Sequence, residues 1–546
     1  KIKGIIMIKQ FLCIINSEFK DYNRRKFLQD LMAGITVAAV ALPLALAFGV
    51  SSGTTAAAGL ITAIVAGLII SSFSGAFYQI SGPTGAMAAI LISLIGKYGM
   101  NGIFIATFMA GIFLLLAGIF RLGNLISLIP SPVITGFTSG IAIIIASGQI
   151  KNFFGIEHFT GSFFDLMKFI GGLHIDYPST IIGILTILLM IFYPKSWGKK
   201  FPASLLAILL STLAVLALKL NVPVVGKIPT TLIPQAHLRL TEINLQDMKT
   251  LLIPAISITV LGMTESLLCG ASAGRATNHP MDNNQELVAQ GIGNIFIPFF
   301  GGIPATAAIA RTSVAIKAGA QTRLTGIIHA LILLLSMFLF APFMTHIPLS
   351  ALAGVLIMTA LRMNEWEAIH FLFKNKLKSG MIEFFVTMII TVIFDLSTAI
   401  LAGIIVGFLL FILKISQIEI NSSQIEPERI SQNHHEVFSE WTVIYISGPL
   451  FFLNSSKLKQ VIDALPTNTN IVLSLRGVPM IDVTSIKLLI DIYSVFHEEN
   501  RQIVFASMNG KLKESFRRTG LINLVGEEAI YPSVNEFLLD LVDKKN

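Results

Sequence analysis

Between Leu31 and Gly96 the chain carries no aspartate, glutamate, lysine, arginine or histidine. At roughly 20 residues per membrane-crossing helix, this run holds two full spans and the start of a third, which excludes an ordinary water-soluble fold. Comparable stretches recur as far as about Ile415. The apolar runs lack the alternation of barrel strands, and lipid offers no partner to unpaired backbone groups, so helices make the spans. Only 13% of the 546 residues are charged, against 54% apolar, the balance of an integral membrane protein.

A net charge of +8 does not point to nucleic acid. The basic residues are scattered in short clusters between apolar runs, Asn23–Phe27, Lys195–Lys200 and Lys374–Lys378, as expected for cytoplasmic loops under the positive-inside rule. Two cysteines, Cys13 and Cys269, give no disulfide framework. The basic and apolar start is followed by polar residues Asn16–Arg25 without a small-residue cleavage site, and reads as a cytoplasmic or interfacial lead-in, residues 1–30.

Hydropathy places spans near 31–50, 54–73, 83–96, 102–120, 131–150, 178–193 and 202–219, then near 250–271, 287–300, 304–317, 323–341, 347–362, 380–395 and 398–416. That is seven and seven, a transport domain of residues 31–416 with repeats of about 31–220 and 250–416. The third member of each series is short and begins at a proline, Pro83 or Pro304. An odd number of spans per repeat sends the second copy in from the opposite side, which predicts an inverted repeat. Both termini then lie on one side, the cytoplasmic one by the basic lead-in. Residues 417–441 read as a polar linker. Residues 442–546 read as a small α/β domain, with strands at 442–447, 470–475 and 502–507 and helices at Ser456–Leu465, Ser485–His497 and Lys511–Arg518.

The breaks are "QISGPTGAM" and "GGIPATAAIARTS". A half-helix starting in mid-membrane exposes unpaired N–H groups and the positive end of its dipole. Two of them entering from opposite sides make an anion site near the midplane; the plain alternative is a pair of Gly/Pro kinks used only for packing. The candidate residues are Gln79, Pro83, Thr84, Gly85 and Ala86 in the first break, and Pro304, Ala305, Thr306 and Ala307 in the second, the small ones admitting a ligand to the backbone. Arg311 is the only charged residue between Glu286 and Lys317. Counted from Pro304 it lies two turns into the half-helix, about 10 Å along. An isolated intramembrane cation is a functional-site candidate; the plain alternative is that it snorkels toward headgroups with Lys317 and Arg323. Glu265 is the sole carboxylate between Lys249 and Arg275, and Gly262, Ser266 and Cys269 share its helical face. It is the candidate for reversible protonation, the alternative being a purely structural hydrogen-bonded carboxylate. His329 reads as a packing residue, and Glu383 and Asp395 bracket a span near its interfaces. No nucleophile–base pair, metal cluster or cofactor motif is present, so an enzyme is disfavoured.

These blocks, with "PSPVITGFTSGIAI" (Pro130–Ile143), "NNQELVAQGIGNIFIPFFGGIPATAAIARTS" (Asn283–Ser313) and "AGAQTRLTGIIHAL" (Ala318–Leu331), resemble the SulP family of anion transporters, solute carrier family 26, over nearly the whole chain from about Asp30. The C-terminal domain resembles a STAS domain. The resemblance implies a fourteen-helix UraA-like fold with core and gate parts, homodimerisation, elevator-like motion and a bacterial cytoplasmic membrane. It puts the anion site at the two breaks, Arg311 at the family's cationic position and Glu265 at the acidic position linked to proton coupling. "ESLLCG" and "GPLFF" look closest to bacterial C4-dicarboxylate carriers of the DauA type. The loop Gly270–Asn284 departs from the usual family form. The expectation is a proton-coupled carrier of small anions, with succinate or fumarate first and bicarbonate, sulfate or chloride second. An anion channel or an anion-sensing receptor would use the same pocket. In "PMIDVTSIKLL" (Pro479–Leu489), Val483 stands where stand-alone STAS proteins carry a phosphorylated serine, so a phosphoserine relay is not expected there, and Thr484 and Ser485 are expected to cap the following helix.

Overall fold

The computed structural model describes residues 2–124, 129–156, 175–194, 202–226, 228, 231–239, 241, 244–394, 396–424 and 440–544. Lys195–Lys200 and Asp395 therefore lie outside the described residues. The chain divides into two units, Lys1–Gly407 and Phe408–Asn546, each described by itself.

The first unit opens with α1 (Ile2–Phe19), α2 (Arg24–Ser51) and α3 (Ala56–Phe73). A two-residue strand, β1 (Ser81–Gly82), leads into α4 (Gly85–Ile119), followed by α5 (Ser131–Gly148), α6 (Ile150–Phe154), α7 (Tyr177–Phe192) and α8 (Ala203–Ala217). Then come α9 (Leu245–Thr250), α10 (Leu252–Thr277), α11 (Asn283–Phe296), β2 (Thr306–Ala307), α12 (Ile309–Lys317), α13 (Leu324–Met344), α14 (Leu349–Met363), α15 (Trp366–Lys374), α16 (Lys378–Ile393) and α17 (Leu396–Ile415), the last running across the division at Gly407. Six described helices are long and apolar enough to cross a membrane, and four shorter apolar helices accompany them. Two packed groups are evident. In one, α2, α3, α4, α10, α11 and α13 lie against each other; in the other, α5, α7, α8, α14 and α16 do; α2 meets α8 and α14 between them.

Several boundaries differ from the hydropathy reading. The helix expected from residue 31 begins at Arg24, about two turns earlier, because hydropathy marks where a helix enters lipid, not where it starts. Asn23 caps it, accepting the Arg25 and Lys26 N–H groups at 3.0 and 3.1 Å. The lead-in of residues 1–30 is tied to the rest of the first unit. Glu18 pairs with Arg323 at 2.7 Å, both side chains nearly buried. Asp30, fully buried, accepts from the N–H groups of Gln321 and Thr322 and from the hydroxyls of Tyr22, Thr322 and Thr325. The expected spans 83–96 and 102–120 form one helical element, broken at Gly99 (φ +64°), a backbone region that only glycine enters without strain.

The second unit contains β3 (Glu419–Gln424), β4 (Trp441–Ser447), α18 (Ser455–Asp463), β5 (Asn470–Gly477), α19 (Val483–Glu498), β6 (Ile503–Ala506), α20 (Gly510–Arg518), α21 (Leu521–Val525), β7 (Ile530–Tyr531) and α22 (Val534–Asp543). The sheet runs β3-β4-β5-β6-β7, antiparallel at the first pair and parallel thereafter. Its core is Ile444, Leu473 and Phe505 against Leu458, Leu489 and Phe516. The stretch taken as a polar linker thus supplies the edge strand β3. "EINSSQ" hides it because, near this edge, only Ile418 and Ile420 reach the core, so the apolar signal is nearly absent. Helix α19 is capped by Asp482, which accepts the Ser485 N–H at 2.8 Å. Thr484 and Ser485 are not the cap, since the carboxylate already sits three residues before that N–H.

Candidate functional site

The two breaks cross. Ser81 pairs with Ala307 and Gly82 with Thr306 in a two-residue antiparallel bridge, extended by the Ala308 N–H on the Ile80 carbonyl (2.9 Å) and the Ile80 N–H on the Thr312 hydroxyl (3.1 Å). Backbone that leaves the helix inside a membrane needs such partners, because lipid supplies none. The second half-helix therefore does not begin at Pro304. Residues 304–308 are non-helical, with β2 among them, and α12 begins at Ile309 without a side-chain cap. The first begins at Gly85, with Thr84 as its cap.

Glu265 joins the breaks from α10. A single oxygen, Oε2, accepts the hydroxyls of Thr84 at 2.7 Å and Thr306 at 2.6 Å. At the next residue, the Ser266 hydroxyl accepts the Ala307 N–H (3.2 Å), and the Ser266 carbonyl accepts the Gln79 side-chain amide (2.8 Å). Cys269 reaches Thr312 of α12 at 3.3 Å. The carboxylate thus bridges the two repeats through hydroxyl groups.

Arg311 is 1% exposed, so it does not snorkel. Since α12 starts at Ile309, it sits in the first turn, not two turns in. Its Nη2 donates to the Pro83 carbonyl (2.5 Å), while Nη1 has no hydrogen-bond partner among the described residues. It lies directly behind β1: a Cβ placed on Gly82 would collide with Nη1. Gln79, Pro83, Thr84, Gly85, Ala86, Pro304, Ala305, Thr306 and Ala307 are all buried around this crossing. His329 is buried beside Gly67 of α3 and hydrogen-bonds neither Glu265 nor Arg311.

A supporting row on α11 was not singled out from the sequence. Asn294 holds Ala305 twice, accepting its N–H at 2.8 Å and donating to its carbonyl at 2.9 Å. Gln290 donates to the Ser81 hydroxyl and to Glu286, both at 2.8 Å. Glu286 accepts from the Ser74 hydroxyl and the Gly75 N–H. Polar residues at 286, 290 and 294 recur every four positions in an otherwise apolar stretch, and that spacing is the signal that would have revealed them.

Two cavities flank α12. A groove of about 90 Å³ runs between it and α10, past Cys269, Ser272, Thr312 and Lys317. On its other side, a cavity of about 570 Å³ lies between the two helix groups, with Ala310 and Val314 on one wall and Tyr193, Ser204, Thr359 and Arg362 on the other.

Two interrupted helices that cross, with a carboxylate and a guanidinium at the crossing, are the arrangement expected of an anion transporter. Residues 27–390 match the sulfate permease family and residues 430–537 the STAS domain, and the chain belongs to that family. It is 35% identical over 538 residues to the "Putative sulfate transporter YvdB" of Bacillus subtilis (strain 168), covering 95% of this chain and 99% of that protein. It is 29% identical over 533 residues to the "Bicarbonate transporter BicA" of Synechocystis sp., covering 94% of each. The solved transmembrane domain of a cyanobacterial BicA is similar over 71% of this chain and 98% of its own, with TM-score 0.62 and 29% identity. Murine Slc26a9, solved in an inward-facing state, shares the fold over 98% of this chain and 95% of its own, with TM-score 0.83 at 16% identity.

Proposed function

We propose that this chain is a proton-coupled carrier of a small oxyanion, which it binds between the first turns of α4 and α12 and moves by displacement of one helix group against the other. The observation that carries this reading is the junction of both breaks on one carboxylate oxygen of Glu265, with the buried Arg311 directly behind. A carboxylate tied to the two anion-facing termini changes the charge of the site when it takes a proton, which links proton and anion binding. The division of the first unit into two groups, with a cavity between them beside α12, supports alternating access. Homodimerisation and a bacterial cytoplasmic membrane, with the STAS domain inside, complete the reading.

Among oxyanions, the names of the relatives favour sulfate or bicarbonate. The dicarboxylate expectation rests on "ESLLCG" and "GPLFF" alone. The test is uptake in proteoliposomes of sulfate, bicarbonate, chloride and succinate under imposed proton or sodium gradients. Uphill accumulation of one oxyanion under an inward proton gradient, lost in Arg311→Ala, is the expected result. Flux that only dissipates gradients would overturn proton coupling, and binding without flux would point to a sensor.

A further inference from the structure

A second cavity, of about 290 Å³, lies on the opposite side of α2 and is built from apolar groups. Ala38, Ala39 and Leu42 of α2, Ile208 of α8 and Phe340 of α13 line it, and Ser336 is the only lining residue with a polar side chain. Interiors pack to near-crystalline density, and apolar cavities of only ~150 Å³ already take up benzene. A void of this size between membrane helices is a place for a ligand. Its surroundings indicate which one. Phe340 is itself 55% exposed, and the adjoining faces of α13 and α8 show Leu335, Phe338, Leu339 and Leu213, all exposed and apolar. The cavity opens onto the hydrocarbon-facing side of the chain.

We propose that this cavity is the acyl-chain site of a bilayer lipid, and that its occupancy sets the spacing of α2 and α13 from α8. The two cavities stand back to back. Thr36, Val40 and Leu44 on one face of α2 line the cavity beside α12, while Ala38, Ala39 and Leu42 line the apolar one. The start of α8 divides in the same way, Ala203 and Ser204 on the first side and Leu205 and Ile208 on the second. A chain wedged behind α2 and α8 holds open the cleft in front of them.

The experiment reconstitutes the full chain in vesicles of phosphatidylcholine bearing a diazirine on one acyl chain, illuminates them, and maps adducts by peptide mass spectrometry. Adducts are expected on the buried walls Ala38 and Ile208, 2% and 3% exposed, as well as on exposed Leu335 and Phe338. In Ala39→Phe, or Ser336→Leu if that variant does not fold, the buried adducts should vanish while the exposed ones persist, and turnover should fall several-fold at unchanged KM. Wild-type adducts confined to Leu335 and Phe338 overturn the site. Lost buried adducts with unchanged turnover overturn the coupling. Labelling does not depend on which anion is carried, so its failure is distinct from failure of the transport reading.

Discussion

Replacing Glu265 by glutamine tests the coupling role most sharply. Its Oε2 accepts two threonine hydroxyls, at 2.7 and 2.6 Å, and a glutamine carbonyl can accept the same pair. What is lost is the extra strength of a charged acceptor, the difference between ~1.5–3 and ~0.5–1.5 kcal/mol per bond. Two bonds lose ~2–3 kcal/mol in sum by that measure, and less inside a membrane, where helix-to-helix hydrogen bonds average only ~0.6 kcal/mol. Against a domain stability of ~5–15 kcal/mol the variant remains folded. The energetic consequence for transport is larger. One proton moving with one monoanion supplies ~1.4 kcal/mol per pH unit, so a one-unit gradient supports about tenfold accumulation by the wild type. Glutamine cannot exchange that proton. The variant should exchange labelled anion across vesicles at equal concentrations yet accumulate none against a gradient, read by radiotracer uptake with acid outside. Tenfold accumulation by Glu265→Gln would refute the argument and return Glu265 to a structural tie.

Asp30→Ala leaves the Gln321 and Thr322 N–H groups without their acceptor, a cost of ~1–3 kcal/mol each; the melting temperature in detergent should drop by several degrees, and less in Asp30→Asn, whereas equal melting would mean that water replaces the carboxylate. Gly82→Ala pushes a methyl group into Arg311 Nη1; anion affinity should weaken in a folded protein, and unchanged binding would place the guanidinium away from the anion. Ser485 is 1% exposed and Asp482 already caps α19, so protein purified from its native host should carry no stoichiometric phosphate on Thr484 or Ser485, which phosphopeptide mass spectrometry reads directly.

Much of the fold is legible in the amino-acid sequence. Leu31–Gly96 dictated membrane helices, and the two proline breaks marked the crossing because Gly/Pro punctuation within apolar runs has few other readings. Isolated charges named Glu265 and Arg311, since an uncompensated charge in lipid is too costly to be incidental. What escaped was information carried by pairing. The β1–β2 bridge moves the start of α12 from Pro304 to Ile309, and no local signal in "IPATAAI" announces a partner two hundred residues away. Strand β3 was lost because few of its side chains face the core. Asp30 gave no sign of five donors, because four of them come from residues 321–325, nearly three hundred positions away.

The crossing of the breaks has a consequence for how selectivity and speed are divided. Four points of attachment fasten the two half-helix termini together: the bridge itself, the shared oxygen of Glu265, Ser266, and Arg311 on Pro83. Neither terminus can shift relative to the other without breaking several of these at once, so the two break segments behave as one rigid piece whatever the surrounding helices do. On the proposed reading, substitutions in the surrounding helices change transport rate and leave anion preference alone, and a change of preferred anion has to come from the few residues of the crossing.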